Sequence, residues 1–164
     1  MDGKLRNMTS VYLQKNGKFL LLYRIGSRVV GNSYTGTAGG HFEEEELNDA
    51  KACVLRELKE ETGLMEADLE NLKFRYITLR LKNGEVRQNY YFFADLAEHV
   101  DVSSLKSNEG ELQWFSADEV ENLNMPHSAK YMLLHYIKIG QYTNCLYGGN
   151  TREDGVEFTE LREF

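Results

Sequence analysis

The chain has 164 residues, 41% of them hydrophobic and 12% aromatic, with a single proline, a length and make-up that suit one domain, here taken as 1–164, with a core of its own. No apolar run approaches the roughly 20 residues of a membrane span. With 26 acidic against 19 basic side chains the formal charge is -7, which repels a nucleic-acid polymer and admits a small anionic ligand where a divalent cation neutralises it.

The opening stretch, MDGKLRNMTS, lacks an apolar signal core. Cys53 and Cys145 are too few and too far apart for a disulfide framework and read as packing residues. A cytoplasmic location is therefore expected.

Taken in chain order, Thr9 to Gln14 and Lys18 to Tyr23 are β-rich runs around Lys15-Asn16-Gly17, and Asn-Gly is the strongest short hairpin signal. The glycine-rich passage GNSYTGTAGG, from Gly31 to Gly40, predicts a loop without regular structure. A helix follows, capped by Asn48 or Asp49 and stopped at Gly63. A second hairpin joins Phe74 to Leu81 with Glu85 to Ala94 around Asn83-Gly84. Ser116 followed by Glu119 is a capping-box pattern that predicts a short helix to Leu123. Ser128 to Gly140 carries Tyr131, Leu134, His135 and Lys138 at helical spacing, with Ser128 as cap and Gly140 as stop. The tail from Gln141 to Phe164 reads as a further hairpin around GGNTREDG. No internal repeat or low-complexity linker interrupts this order.

The central helix contains LRELKEETGL, residues 55 to 64. At about 100° per residue, Glu57, Glu60 and Glu61 share one face within an arc of roughly 100°. Like charges at this spacing destabilise a helix by about 0.2–0.5 kcal/mol per pair, so water or a cation must screen them. Val54 and Leu58 lie beside Glu61 on the same wheel. The acidic face therefore borders the buried face, where solvent screening is incomplete. Arg56 reads as a structural partner for a neighbouring carboxylate, and Lys59 as exposed. One such turn suits Mg²⁺, which takes carboxylates on one side and substrate phosphate on the other, and Gly39 could bring a backbone carbonyl close because it has no side chain.

From Gly39-Gly40 through Arg56-Glu57-Leu58-Lys59-Glu60-Glu61-Thr62-Gly63-Leu64 the chain resembles the Nudix hydrolases, whose box reads G-x5-E-x7-R-E-U-x-E-E-x-G-U with U a bulky aliphatic. Every specified position from Arg56 to Leu64 is matched. With five residues between, Gly40 is followed by Glu46, but nine residues rather than seven then precede Arg56. Counting back from Arg56 puts Asn48 at the first glutamate. Two extra residues therefore lie in the loop or at the helix start, and the roles of Glu43 to Glu46 stay open.

The resemblance implies an α+β Nudix fold, an α/β/α sandwich with a mixed sheet and a C-terminal β-hairpin. It also implies a Mg²⁺-dependent or Mn²⁺-dependent pyrophosphohydrolase in which Gly39, Glu57, Glu60, Glu61 and Glu109 hold metal. Glu57, Glu60, Glu61 and Glu109 would be catalytic, with Glu57 or Glu109 as general base. Ser107 to Trp114 resembles the later loop that supplies an extra glutamate, Glu111 being the alternative to Glu109. Pro126 is far from the box, so the proline landmark of many ADP-ribose-type members is missing. The layout is similar to MutT-like enzymes that convert a nucleoside triphosphate, such as the oxidised purine nucleotide 8-oxo-dGTP, to monophosphate and pyrophosphate. By that likeness Asn124 and His127 would read base edges, Tyr34 would stack, and His41 could approach phosphate. His99 and His135 look like surface or core residues. Two other readings stand beside it: a different diphosphate substrate, such as a nucleotide sugar or dinucleoside polyphosphate, and a Nudix-fold module that binds a nucleotide without turning it over. The intact glutamates argue against the latter. The expected partner is a small nucleotide, with no nucleic-acid polymer and no membrane, and a homodimer is left open.

Overall fold

A computed structural model describes residues 2–25 and 32–164. The first two strands, β1 (Lys4–Lys15) and β2 (Lys18–Arg24), turn at Asn16 and Gly17, whose φ values of 52° and 74° are the left-handed pair a two-residue hairpin loop requires. A short β3 (Ser33–Thr35) then pairs with the end of β2. This corrects the expectation of an unstructured passage from Gly31 to Gly40, although Gly31 itself lies outside the described residues. Tyr34 and Thr35 pair with Tyr23 and Leu22 at the sheet edge, and the ladder outweighs the local glycine content.

Helix α1 (Ala50–Thr62) starts where the Asp49 carboxylate accepts the Ala52 amide at 2.9 Å, and it stops at Gly63, which takes a left-handed φ of 77°. Strands β4 (Leu69–Lys82) and β5 (Glu85–Leu96) form the second hairpin, again on a left-handed Asn-Gly pair, Asn83 and Gly84. Both hairpins stand where the sequence predicts them, with longer strands.

Downstream the structure departs from the sequence reading. Glu111–Ser116 is a strand, β6, laid antiparallel on β2 with Leu112 and Trp114 against the core. The helix expected from Ser116 to Leu123 contracts to one 3-10 turn, Val120–Asn122. The reason is visible in the capping pair: the Glu119 carboxylate accepts both the amide and the hydroxyl of Ser116 at 2.7 Å and closes a turn at the strand end. Helix α2 (His127–Lys138) follows Pro126, and Ser128 is not its cap. The Ser128 hydroxyl instead meets the Thr151 hydroxyl at 3.0 Å. Gly140 lies just past the helix, in a 3-10 turn over Gly140–Tyr142. Strands β7 (Leu146–Arg152) and β8 (Gly155–Leu161) complete the expected C-terminal hairpin.

Among the described residues the eight strands belong to one sheet in the order β3-β2-β1-β5-β4-β7-β8, with β6 on β2. It is mixed, because β1 runs parallel to β5 and β4 parallel to β7. Alternation along the strands divides the core in two. Tyr12, Leu21, Tyr91 and Phe93 pack under Met132, Leu133 and Tyr136 of α2. Val11, Leu13, Leu20, Phe92 and Ala94 pack under Val54 and Leu58 of α1 on the other face. This is the expected α/β/α arrangement. No helix among the described residues is long and apolar enough to cross a membrane.

One irregularity positions the site. Strands β1 and β2 pair closely only near their turn, from Leu13–Leu20 to Lys15–Lys18. Beyond it Thr37 wedges between them, its hydroxyl donating to the Leu20 carbonyl at 2.6 Å and accepting the Leu13 amide at 3.0 Å. The chain from Gly36 to Gly40 then runs along β1, with the Thr9 amide donating to the Gly40 carbonyl at 2.8 Å.

Candidate active site

On α1, Val54 and Leu58 are 1% exposed and Glu61 8%. The acidic face thus meets the core as its helical spacing requires. A Cβ on Gly40 would collide with the Glu57 carboxylate, so only glycine lets the two approach. The wedge between β1 and β2 brings the carboxylates of one sheet face next to the Gly39-Gly40 backbone, which lines a cavity on the other.

Arg56 organises the front of the helix. Its guanidinium grips Glu46 with Nε to Oε1 at 2.7 Å and Nη2 to Oε2 at 2.9 Å, while Nη1 reaches Glu57 Oε1 at 2.9 Å and Glu60 Oε2 at 3.1 Å. Nη2 also donates to the His41 carbonyl at 3.0 Å. Arg56 is therefore the structural partner its position suggested. The fork shows which glutamate Arg56 pairs with: Glu46, separated from Gly40 by five residues. This pairing holds the Glu46 carboxyl down at about 2. Among the other expectations for this helix, Lys59 is exposed and Cys53 is buried, its thiol 3.3 Å from the Thr9 hydroxyl.

The rear of the helix is organised by Arg24, at the end of β2, which the sequence reading did not single out. Its Nη2 lies 3.2 Å from Glu61 Oε1 and 3.4 Å from the Gly39 carbonyl, and its Nη1 lies 3.4 Å from Glu109 Oε2. The only signal available was a cation closing an apolar strand just before the glycine-rich passage. Glu109 is placed by a loop fastened to the end of α1, where Asn108 donates its amide to the Glu61 carbonyl and its side chain to the Glu60 carbonyl, both at 3.0 Å. Glu111 instead opens β6, opposite Tyr23.

Burial is the first cause that pushes the Glu57 carboxyl up, and it pushes Glu61 up to about 7 despite Arg24. Glu60 and Glu109 lie at the rim, their side chains 58% and 47% exposed. Among the described residues no three His, Cys, Asp or Glu side chains already converge as a metal cage; the arginines hold the carboxylates.

The cavity beyond Gly39-Gly40 measures about 580 Å³ and is bounded across its width by β1, β5 and the start of α2. Asn124, His127 and His41 line it. Asn124 donates to the Asn32 carbonyl at 2.9 Å, and His127 Nε2 is 2.8 Å from the Arg152 carbonyl. Tyr34 is not among the lining residues. Its ring packs between Tyr23 and Phe115, and its hydroxyl donates to Gln113 Oε1 at 2.9 Å. His99 is exposed beside Asp68, and His135 contacts the Tyr76 hydroxyl in the core.

The family model for the NUDIX domain matches residues 4–136, most of the chain. The chain belongs to the NUDIX domain family. Compared with curated proteins by sequence it matches none. Among solved structures it is similar to a MutT protein of Bacillus halodurans, with a TM-score of 0.62, 20% identity, and 94% of this chain and 97% of that one covered. A MutT protein of Methanosarcina mazei gives a TM-score of 0.63 at 19% identity over 84% and 96%. An Ap4A hydrolase of C. elegans gives 0.63 at 16% over 85% and 99%. At these identities the likeness establishes the shared fold.

As a Nudix hydrolase the chain is a pyrophosphohydrolase, of a family that acts on small nucleotide substrates and generally depends on divalent metal. Its residues fit such an ion. Glu61 Oε2 is buried with no hydrogen-bond partner, a costly state for a carboxylate oxygen unless a cation takes it up. The groups that would hold the ion are Glu57, Glu61 and the Gly39 carbonyl, with Glu60 and Glu109 at the rim.

Proposed function

We propose that the Nudix hydrolase cleaves a nucleoside triphosphate, such as an oxidised purine nucleotide, to monophosphate and pyrophosphate, with Mg²⁺ held by Gly39, Glu57, Glu60, Glu61 and Glu109. The observation that carries this reading is the junction at Gly40, where the buried glutamate face meets a cavity large enough for a nucleoside. Glu57 and Glu61 stay fixed by Arg56 and Arg24, so their charge need not reorganise as the phosphate is engaged. When bound, the cation neutralises phosphate charge and lowers the pKa of the attacking water. A general base is supplied by Glu57, or by Glu109 swinging in from its exposed loop. Asn124 and His127, across the cavity, offer polar atoms to a base edge.

The alternative substrate is a dinucleoside polyphosphate or nucleotide sugar, a reading favoured by the cavity's length along β1 and β5. A panel of nucleoside triphosphates, oxidised and plain, together with dinucleoside polyphosphates and nucleotide sugars, assayed with Mg²⁺ for pyrophosphate and phosphate, separates the two. Turnover of triphosphates with pyrophosphate release is expected. Inert triphosphates with cleavage of a bridged diphosphate would transfer the assignment to the alternative.

A further inference from the structure

The cavity's far end carries a charge pattern that hydrolysis at the glutamate face does not use. In the register of the sheet, Arg6 on β1 stands opposite Arg87 on β5, and Arg87 stands opposite Arg80 on β4. Residues directly opposite one another share a face, so three arginines project side by side from three adjacent strands. All three line the cavity and are half-buried, with Lys82 exposed at their edge. Like charges directly opposite are destabilising. The arrangement is the more unexpected in a chain whose net charge is -7.

Local compensation is slight. Glu85 Oε1 accepts from Arg87 Nε at 2.9 Å, and among the described residues this is the one ion pair recorded for the row. Arg6 Nη2 is taken up by His41 Nε2 at 2.9 Å, a contact with a ring nitrogen and not with a carboxylate. A cavity lined by one sign of charge with low-dielectric walls focuses its field on whatever enters. Three guanidinium forks side by side match the oxygens of a phosphate group, which they can hold through two bonds each.

The distance to the glycine pair makes this a separate subsite. Arg6 is three residues before Thr9, which bonds the Gly40 carbonyl; at about 3.3 Å per strand residue the row stands on the order of 10 Å from the glycine pair. His41, next to Gly40 in the chain and bonded to Arg6, joins the two ends. A ligand of nucleotide size spans both. The row is three residues wide and set within a cavity walled by the start of α2, whereas a nucleic-acid strand needs a continuous basic track.

We propose that the substrate carries a second phosphate-like group, separate from the diphosphate that is hydrolysed, and that Arg6, Arg80 and Arg87 receive it. This rests on the hydrolytic reading of the glutamate face and, within it, favours nucleotides that carry a further phosphate apart from the phosphate chain that is cleaved.

The first test is independent of turnover. Calorimetric titration of inorganic pyrophosphate, in chelator so that the glutamate face repels the anion, compares the wild-type chain with Arg80→Gln and Arg87→Gln. Each variant is expected to bind about tenfold more weakly, the loss of one charge-assisted pair. Because each substitution removes a like-charge contact, thermal stability should hold or rise. Equal binding by all three proteins overturns the subsite, as does tighter binding of a single-stranded RNA oligonucleotide than of pyrophosphate. The second test uses adenosine diphosphoribose and its 2′-phosphate as a pair differing by one phosphate monoester. The ratio of their kcat/KM values, phosphorylated over plain, is expected to fall about tenfold in Arg80→Gln. An unchanged ratio counts against the subsite. If no nucleotide is hydrolysed but pyrophosphate binding still depends on the arginines, the subsite stands and the hydrolytic reading falls.

Discussion

Arg24 Nη2 lies 3.2 Å from Glu61 Oε1, while the other oxygen of the same carboxylate is buried without a partner. One cation therefore half-satisfies a group whose burial lifts its carboxyl to about 7. A folded-state pKa above the unfolded value means that the folded chain holds the proton longer. Without metal, stability should then fall as pH rises from the ordinary carboxylate range through about 7. Glu61→Gln removes that titration. Thermal melts in chelator should show the wild type losing stability between pH 5 and pH 8 relative to the variant, and parallel pH profiles would refute the account.

Metal reverses this penalty. A ligand that binds only the folded state at 100 times its Kd adds about 2.7 kcal/mol of stability, worth several degrees in a domain of this size. Mg²⁺ should raise the wild-type Tm by that order and do little for Glu60→Gln/Glu61→Gln. Because the ligands must be deprotonated, the wild-type shift should shrink below pH 7. Scanning calorimetry decides it, and equal shifts in both proteins would place the ion elsewhere, for instance at Glu43 to Glu46.

Glu57 is fixed by Arg56 on one side and abuts Gly40 on the other. Glu57→Gln keeps the shape and loses the charge. Turnover should fall on the order of 100-fold or more, with Tm unchanged or raised because Glu57 and Glu60 no longer repel. Gly40→Ala should act on the same pair from the other side, since its Cβ displaces the Glu57 carboxylate. Full turnover by Glu57→Gln, or undiminished activity in chelator, would remove the metal site from this account.

The fork between Arg56 and Glu46 has the opposite pH signature. The Glu46 carboxyl is held at about 2, below its unfolded value, so its contribution is present above the ordinary carboxylate range and is lost as pH falls towards 2. Glu46→Gln should destabilise the chain by about 3 kcal/mol at pH 7, leaving a half-buried guanidinium short of its partner. Urea denaturation should show that difference closing in acid. Asn48→Gln, by contrast, should be nearly silent, because Asn48 is exposed and Arg56 pairs with Glu46 instead.

Much of this site could be read from residue spacing because it is built from local periodicity. Glu57, Glu60, Glu61, Val54 and Leu58 are placed by one helix, and the Asn-Gly hairpins by φ angles that few residues adopt. What depends on strand register was not legible. Arg24 meets Glu61 only through the pairing of β2 with β3 and β6, and Arg6, Arg80 and Arg87 are scattered in sequence until the β1, β5 and β4 ladders align them. The same blindness turned β6 into a loop and Ser116 into a helix cap, since local hydrogen-bonding preference at Ser116 and Glu119 does not reveal that Leu112 and Trp114 are needed under α1. Tyr34 was assigned to a ligand by layout; its neighbours Tyr23 and Phe115 come from separate strands.

The products test the substrate assignment itself. In the triphosphate reading the nucleoside end lies towards Asn124 and His127, while Glu57 and Glu61 face the phosphates at Gly39-Gly40. This arrangement favours attack on an inner phosphorus. A nucleoside triphosphate should then yield monophosphate and pyrophosphate, not diphosphate and phosphate. Hydrolysis in ¹⁸O-labelled water, followed by mass spectrometry, reports the bond that breaks. Label in the monophosphate means that water attacked the phosphorus next to the nucleoside, and label in pyrophosphate means attack at the neighbouring one. Either keeps the pyrophosphohydrolase assignment and orients the water relative to Glu57 or Glu109. Free phosphate as the first product from triphosphates would rule out the inner-phosphorus geometry, because the outermost group would then have to sit over the glutamate face.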